Sequence, residues 1–349
     1  MSSQVHSRPV PLLVVLAMVA LCCSCLKPSD VAETSPTTEL LAKATQLSAT
    51  ETAAATAKRV AQAARRVSAA EKAAVGSQWV SAGGPAMEAM LVSTDLVDAQ
   101  YLVALAEAGG IVPSWQECPL EARINRDSVW RLRCWGFVNL PVLVLSYPWL
   151  DAHHPDRLGE TLRSIVPVLR ALLAKAAEYG THATIGVLWD FLSLPQKPYR
   201  DEAEAARFKA GLRSINSWYS HPCTHVLLVK TPLPVGADYG NTRPYSARGW
   251  TYFEERMSAV VKDDYCLWDL SRYEGAADYV TCLRQMRHQR LPPTSPERVA
   301  AELREGVASG ALAFTASADL ETVIGLYSRG FETAFDSYRA IREVSEATR

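Results

Sequence analysis

The chain has 349 residues, 48% of them hydrophobic and 21% charged, the composition of a globular protein with a substantial core and not of a disordered chain. A formal net charge of -1 gives no overall attraction to nucleic acid or to an anionic surface, so polyanion binding gains no support. Of the eight cysteines, Cys22, Cys23 and Cys25 crowd the start, while Cys118, Cys134, Cys223, Cys266 and Cys282 are scattered; this is no disulfide framework, and reduced, mostly buried thiols are expected.

Residues 1–26 read as an address. His6 and Arg8 precede the apolar run Pro11–Leu21, which is short for a membrane span of about 20 residues. A charged start, a short apolar middle and small residues after it suit a secretory or plastid-type signal. The alternative is a membrane tether through residues 11–25 that faces the cytosol, with the three cysteines open to acylation. Residues 27–85 form an Ala-, Ser- and Thr-rich segment of low complexity. Leu40, Leu47, Ala54 and Ala61 fall seven apart, and alanine buries little surface, so a loose helical linker is expected. Gly83, Gly84 and Pro85 break it, and ordered structure is expected from about Ala86.

Residues 86–139 show helical spacing in Leu91, Leu96, Tyr101, Leu102 and Leu105, followed by large apolar residues such as Trp115, Trp130, Trp135 and Phe137. They read as a helical flank packed onto the domain that follows. Over residues 140–275, short apolar runs alternate with longer amphipathic ones. Val142–Ser146, Ile185–Trp189, His225–Val229 and Tyr265–Trp268 read as strands. Stripes at Leu158–Leu173, with Pro167 expected to kink the helix, at Phe208–Tyr219 and at Gly249–Val261 read as helices. Strands joined by helices of this length imply right-handed crossovers and an α/β fold with a parallel sheet. Residues 276–349 form a C-terminal helical flank, with helix starts at Ser295-Pro296 and near Ser317. Its aromatic stripe, Tyr327, Phe331, Phe335 and Tyr338, reads as a docking face.

Sites in open parallel sheets lie outside the carboxyl ends of the strands. Three clusters map there: Ser146, Tyr147 and Trp149; Asp190 through Gln196; and Tyr245 through Glu254. Ser146 and Ser193 lack the turn that exposes a catalytic serine. His221, Cys223 and His225, and also His153, His154 and Asp156, have metal-ligand types without paired spacing, so no metal is expected. No glycine-rich phosphate loop is present.

These clusters carry a resemblance. Val142–Trp149 is similar to the "LSYxW" opening of heterokaryon-incompatibility (HET) domains. Trp189-Asp190 with Leu194–Gln196 resembles their "WIDxxCIxQ" segment. Arg248–Glu254 resembles their "RxWTxQE" segment, with Phe253 in place of the glutamine, and also the "WCxxE" segment of TIR domains, with Thr251 in place of the cysteine. The resemblance covers roughly residues 140–273. It implies a flavodoxin-like, TIR-like parallel sheet flanked by helices, with a role in stress or defence signalling. It further implies cleavage of NAD between nicotinamide and ribose, with Glu254 as the catalytic carboxylate and no cofactor required. Ser146, Tyr147, Trp149, Asp190, Arg248 and Trp250 are the residues expected around the NAD. The alternative role for Glu254 is structural, paired with Arg248 or the backbone. The same fold also serves as a non-enzymatic module that self-associates, so a homo-oligomer is a second expectation. NAD chemistry needs the cytosol or a plastid, which a tether or a plastid signal would satisfy.

Overall fold

The computed structural model describes residues 36–68, 77–133, 139–233 and 238–347. The signal or anchor expected at residues 1–26, together with Cys134, Trp135 and Phe137, lies outside them. By its contacts the chain divides into Met1–Lys43 and Ala44–Arg349. In the first unit, residues 36–43 are helical and carry an exposed Glu39–Lys43 pair at 2.6 Å. Among the described residues, no helix is long and apolar enough to cross a membrane.

The second unit is built on a six-stranded sheet. In chain order its strands are β1 (Leu96–Asp98), β2 (Arg123–Ile124), β3 (Val142–Ser146), β4 (Gly186–Leu188), β5 (His225–Leu228) and β6 (Leu267–Asp269). Across the sheet the order is β2-β1-β4-β3-β5-β6. The pairs β3/β4, β3/β5 and β5/β6 are parallel, whereas β1 runs antiparallel to both β2 and β4. Each of the four parallel strands overlaps the apolar run that predicts it, with ends that differ by two residues at most.

Alternation along β3 sorts the core into two layers. Leu143 and Leu145 face one side, with Val187, Leu227 and Trp268. Val142 and Val144 face the other, with Leu188, Val226 and Leu228. The first side is covered by α1 (Pro36–Arg65), through its residues from Ala49 onward, with α4 (Ala99–Glu107), α5 (Glu160–Ala176) and α9 (Tyr279–Met286). On the second side lie α2 (Ser77–Ser81), α3 (Gly84–Met90), α7 (Glu202–Ser220), α8 (Gly249–Ser258), α10 (Pro296–Ala308) and α11 (Asp319–Ala347). The remaining helix, α6 (Asp190–Ser193), is a single turn directly after β4. Since α5 joins β3 to β4 while α7 joins β4 to β5, the chain changes both direction and face at β3. The carboxyl ends of β3 and β5 therefore flank a topological switch point.

Three expectations are corrected. The flank at residues 86–139 is not purely helical: it contributes β1 and β2, and Leu96, which falls at helical spacing, is a strand residue with no exposure. Three-residue strands are too short to impose their own period on a sequence that is apolar on both sides. Within the segment at 27–85, residues 44–65 are not a loose linker but helix, and ordered structure begins well before Ala86. Ala49, Ala53 and Ala57 are buried in the core, because alanine's small side chain lets the helix backbone come close. The side chain of Gln46 fastens this helix at both ends of one residue, accepting from Ile111 N at 2.7 Å and donating to Ile111 O at 2.9 Å. Pro167 lies inside α5, which continues beyond it to Ala176.

The helix starts follow local chemistry. Ser295 caps α10 by accepting from Arg298 N, and Pro296 occupies the first turn, where its missing N–H is no loss. Gly83 opens α3 at φ 79°, a left-handed conformation that glycine adopts without strain. The stripe on α11 docks through three of its four residues: Tyr327 is buried, Phe331 and Phe335 pack against the same core, and Tyr338 is exposed.

Candidate functional site

Ser146 ends β3 with its side chain fully buried. Its Oγ donates to Glu254 Oε2 at 2.6 Å and lies 2.6 Å from the hydroxyl of Tyr245. Tyr245 precedes α8, and Glu254 stands in the second turn of that helix. Tyr219, near the end of α7, donates to Leu145 O at 2.9 Å and turns its hydroxyl toward Glu254 as well. Burial pushes the Glu254 carboxyl up to about 8 and the Asp190 carboxyl adds to this, against the hydrogen bond from Ser146 and the nearby Tyr219 hydroxyl. At neutral pH Glu254 is therefore mostly protonated.

Asp190 opens α6, immediately beyond β4. Its Oδ1 accepts from Tyr147 Oη at 2.6 Å and from Phe191 N at 2.7 Å, and its Oδ2 accepts from Trp149 Nε1 at 3.0 Å. Burial raises this carboxyl too, outweighing the donors that favour its ionised form. Trp149 and Tyr147 pack edge-on against Phe191 and Trp189. The segment Ser146–Trp149 thus spends its polar groups on two carboxyls, one from each of the other two motifs.

Arg248 is placed differently from expectation. All three of its guanidinium nitrogens donate to backbone carbonyls: Nε to Arg243 O at 2.8 Å, Nη2 to Asn241 O at 2.9 Å, and Nη1 to Trp149 O. It is a clamp between the loop after β3 and the turn before α8, and it is not the partner of Glu254. Burial lowers its pKa to about 10, so it stays charged at neutral pH. Trp250 turns away from the two carboxyls. Its Nε1 donates to Asp319 Oδ2 at 3.0 Å and its ring meets Phe253 and Phe314. Of the seven residues expected at the site, Ser146, Tyr147, Trp149, Asp190 and Glu254 come together; Arg248 supports them from behind, and Trp250 belongs to the helical core. Thr251, at the TIR cysteine position, is buried and bonds to Tyr245 O and Arg248 O.

A second polar group lies beside the first and escapes a reading of the sequence. Glu255 Oε1 meets Lys230 Nζ at 2.7 Å and His288 Nε2 at 3.3 Å, while His288 Nδ1 lies 3.7 Å from Asp269 Oδ2. Lys230 Nζ sits 5.5 Å from the centre of the Tyr245 ring. Burial would raise the Glu255 carboxyl, but the bonds from His288 and Lys230 outweigh it and hold the group below its usual value. Two adjacent carboxyls on one helix are thereby pushed in opposite directions. The only signal in the sequence is the pair Glu254-Glu255, since His288 lies more than thirty positions away with no spacing to betray it.

Two of the histidines weighed as metal ligands make structural bonds instead. His221 Nδ1 accepts from Cys223 N, and His154 Nδ1 accepts from Asp156 N. Burial pushes His221 and His225 down to about 3, and the ammonium of Lys262 works in the same direction. Among the described residues no group of three or more His, Cys, Asp or Glu could hold a metal ion. Cys118, Cys223, Cys266 and Cys282 are free and buried. A cavity lined by Pro141, Val142, Ile185 and His225 has room for about one water; it lies at the amino ends of the strands, opposite Glu254.

The chain matches no protein-family model, no curated protein and no solved structure. Two carboxyls stand at the carboxyl ends of neighbouring parallel strands, wrapped by Tyr147, Trp149, Tyr219 and Tyr245. A carboxyl that is neutral at pH 7 can donate a proton or hydrogen bond, and it gains a negative charge when a cation is placed beside it.

Proposed function

We propose that this chain is a TIR/HET-like stress or defence signalling protein whose Glu254 site cleaves NAD. The observation that carries the reading is the convergence of three separate motifs: Ser146, Tyr147 and Trp149, Asp190, and Glu254 are joined by hydrogen bonds at the carboxyl ends of β3 and β4. The order of the four parallel strands, with β3 as the first in sequence, is 2-1-3-4. That order supports a flavodoxin-like sheet, in which ligands bind at the first switch point.

The chemistry suits such a site. The nicotinamide ring of NAD is cationic, and set beside Glu254 it favours the carboxylate over the acid. The bond between C1′ of the ribose and the ring nitrogen breaks, and its electron pair goes to the nitrogen, so neutral nicotinamide leaves without a general acid. Water adds to C1′ and loses one proton, giving ADP-ribose. The positive charge that develops on the ribose is stabilised by the Glu254 carboxylate. No cofactor takes part. Following nicotinamide release from NAD by the full chain tests this reading, and no release at any protein concentration removes it.

A second reading has its own observation. Tyr147 and Trp149, the rings placed to stack on a ligand, already spend their polar atoms on Asp190. A site so closed by its own bonds suits a non-enzymatic module that self-associates. Light scattering over a wide concentration range separates the two: assembly without NAD turnover favours the module, and a persistent monomer removes it.

A further inference from the structure

Ser146 has one hydroxyl proton, and an ionised carboxylate can only accept. With Glu254 ionised, Ser146 Oγ gives its proton to Glu254 Oε2, so the Tyr245 hydroxyl, 2.6 Å from the same Oγ, must be the donor to it. The chain of bonds then runs Tyr245 to Ser146 to Glu254, each link short. With Glu254 protonated the chain can reverse, from Glu254 to Ser146 to Tyr245. The tyrosine proton then has only the Thr251 carbonyl, at 3.4 Å, a much weaker bond. The two directions are unequal, and the stronger one belongs to the carboxylate.

We propose that Tyr245 is a positioning residue that acts through Ser146 to orient the Glu254 carboxyl and to set the pH at which it ionises. The inference concerns the same site as the NAD-cleavage reading but rests on bonds within the free protein. The Tyr245 hydroxyl is itself no competitor for the proton, because burial and then the nearby Glu255 and Glu254 carboxyls hold its pKa well above the usual tyrosine value. The other groups that face Glu254 are accounted for: Asp190 beyond β4, which raises it, and Tyr219 on α7, which lowers it. The ammonium of Lys230, beyond β5, is engaged by Glu255. On β6, the Asp269 carboxyl is engaged by Ser271 and adds to the upward push on Tyr245.

The experiment is an infrared titration of the full chain without NAD. Subtracting the spectrum of Glu254→Gln isolates the carbonyl stretch of the protonated Glu254 carboxyl. In wild type this band persists at neutral pH and fades with a midpoint near pH 8. Tyr245→Phe keeps the ring and removes the hydroxyl; it is expected to move the midpoint up by about one unit, as loss of a bond that favours the charged form requires. Ser146→Ala moves it in the same direction, and Tyr252→Phe, whose hydroxyl bonds to Glu302, leaves it in place. Circular dichroism shows that each variant is folded. An unmoved midpoint in folded Tyr245→Phe, with only the melting temperature lowered, overturns the proposal by reducing Tyr245 to a packing residue; so does the absence of the band from wild type at pH 6. Failure here leaves NAD cleavage standing, and a chain that releases no nicotinamide can still show the shift.

Discussion

Glu254 accepts a 2.6 Å hydrogen bond from Ser146, a residue 108 positions earlier in the chain. That bond ties the end of the central strand to the second turn of α8 and closes one side of the switch point. Because burial, with the Asp190 carboxyl adding to it, outweighs the hydroxyls of Ser146 and Tyr219, the charge on Glu254 works against the fold.

The pH dependence of stability follows. The folded pKa of Glu254, about 8, lies above its ordinary 4.5. Between these values the folded chain holds a proton that the unfolded chain has lost, so this group's contribution falls as pH rises from about 4.5 to about 8. Glu254→Gln removes that dependence. Its stability relative to wild type is expected to rise from pH 5 to about pH 8 and then level off, by on the order of a few kcal/mol in all. Thermal melts at several pH values check this, and a constant difference contradicts it.

Asp190→Asn replaces an acceptor-only group with an amide, and one of the three donors aimed at it then meets an N–H. A loss of about 1–3 kcal/mol is expected, measured by urea denaturation. The same change removes the charge that raises Glu254, so the Glu254 infrared midpoint moves down while stability falls.

Arg248→Lys retains the charge but cannot reach three carbonyls at once. The expected cost is about 2 kcal/mol or more, with faster proteolytic cleavage at the turn around Asn241 and Arg243. Equal cleavage of the variant and wild type would show that the clamp is dispensable.

The parallel sheet is legible because β3, β4, β5 and β6 are short apolar runs separated by long amphipathic ones, and burial on both faces leaves no other reading of Val142–Ser146. The antiparallel edge is not legible. Leu96–Asp98 sits among apolar residues whose spacing also fits a helix, and only its pairing with β4 decides. The motifs point to Ser146, Asp190 and Glu254 because each follows a strand or opens a helix after one. They fail for Trp250, although it stands one turn before Glu254 on the same helix, because its indole N–H is taken by Asp319 on α11, and the pattern of types alone does not show that partner. Tyr219 escapes because a tyrosine on an apolar stripe reads as core, and Tyr245 opens the third cluster without a role of its own; the role of each depends on where its hydroxyl ends, and tertiary packing sets that. The alanines of α1 mislead for the opposite reason: their value lies in close approach, which no hydrophobicity scale records.

Gln46→Ala tests that helix. The change strips both polar groups of Ile111 of their partner and is expected to cost about 1–2 kcal/mol. Amide hydrogen exchange in the helix should quicken more than exchange in β3. Unchanged exchange would place the helix outside the cooperative core.

The account stands or falls on Glu254, and nicotinamide release from NAD by the full chain, followed by chromatography at pH 7, tests it most directly. Wild type should release nicotinamide and ADP-ribose in equal amounts, Glu254→Gln should lose at least a hundredfold in rate, about 2.7 kcal/mol, and Glu255→Gln should lose much less. Equal release by wild type and Glu254→Gln would contradict the account outright.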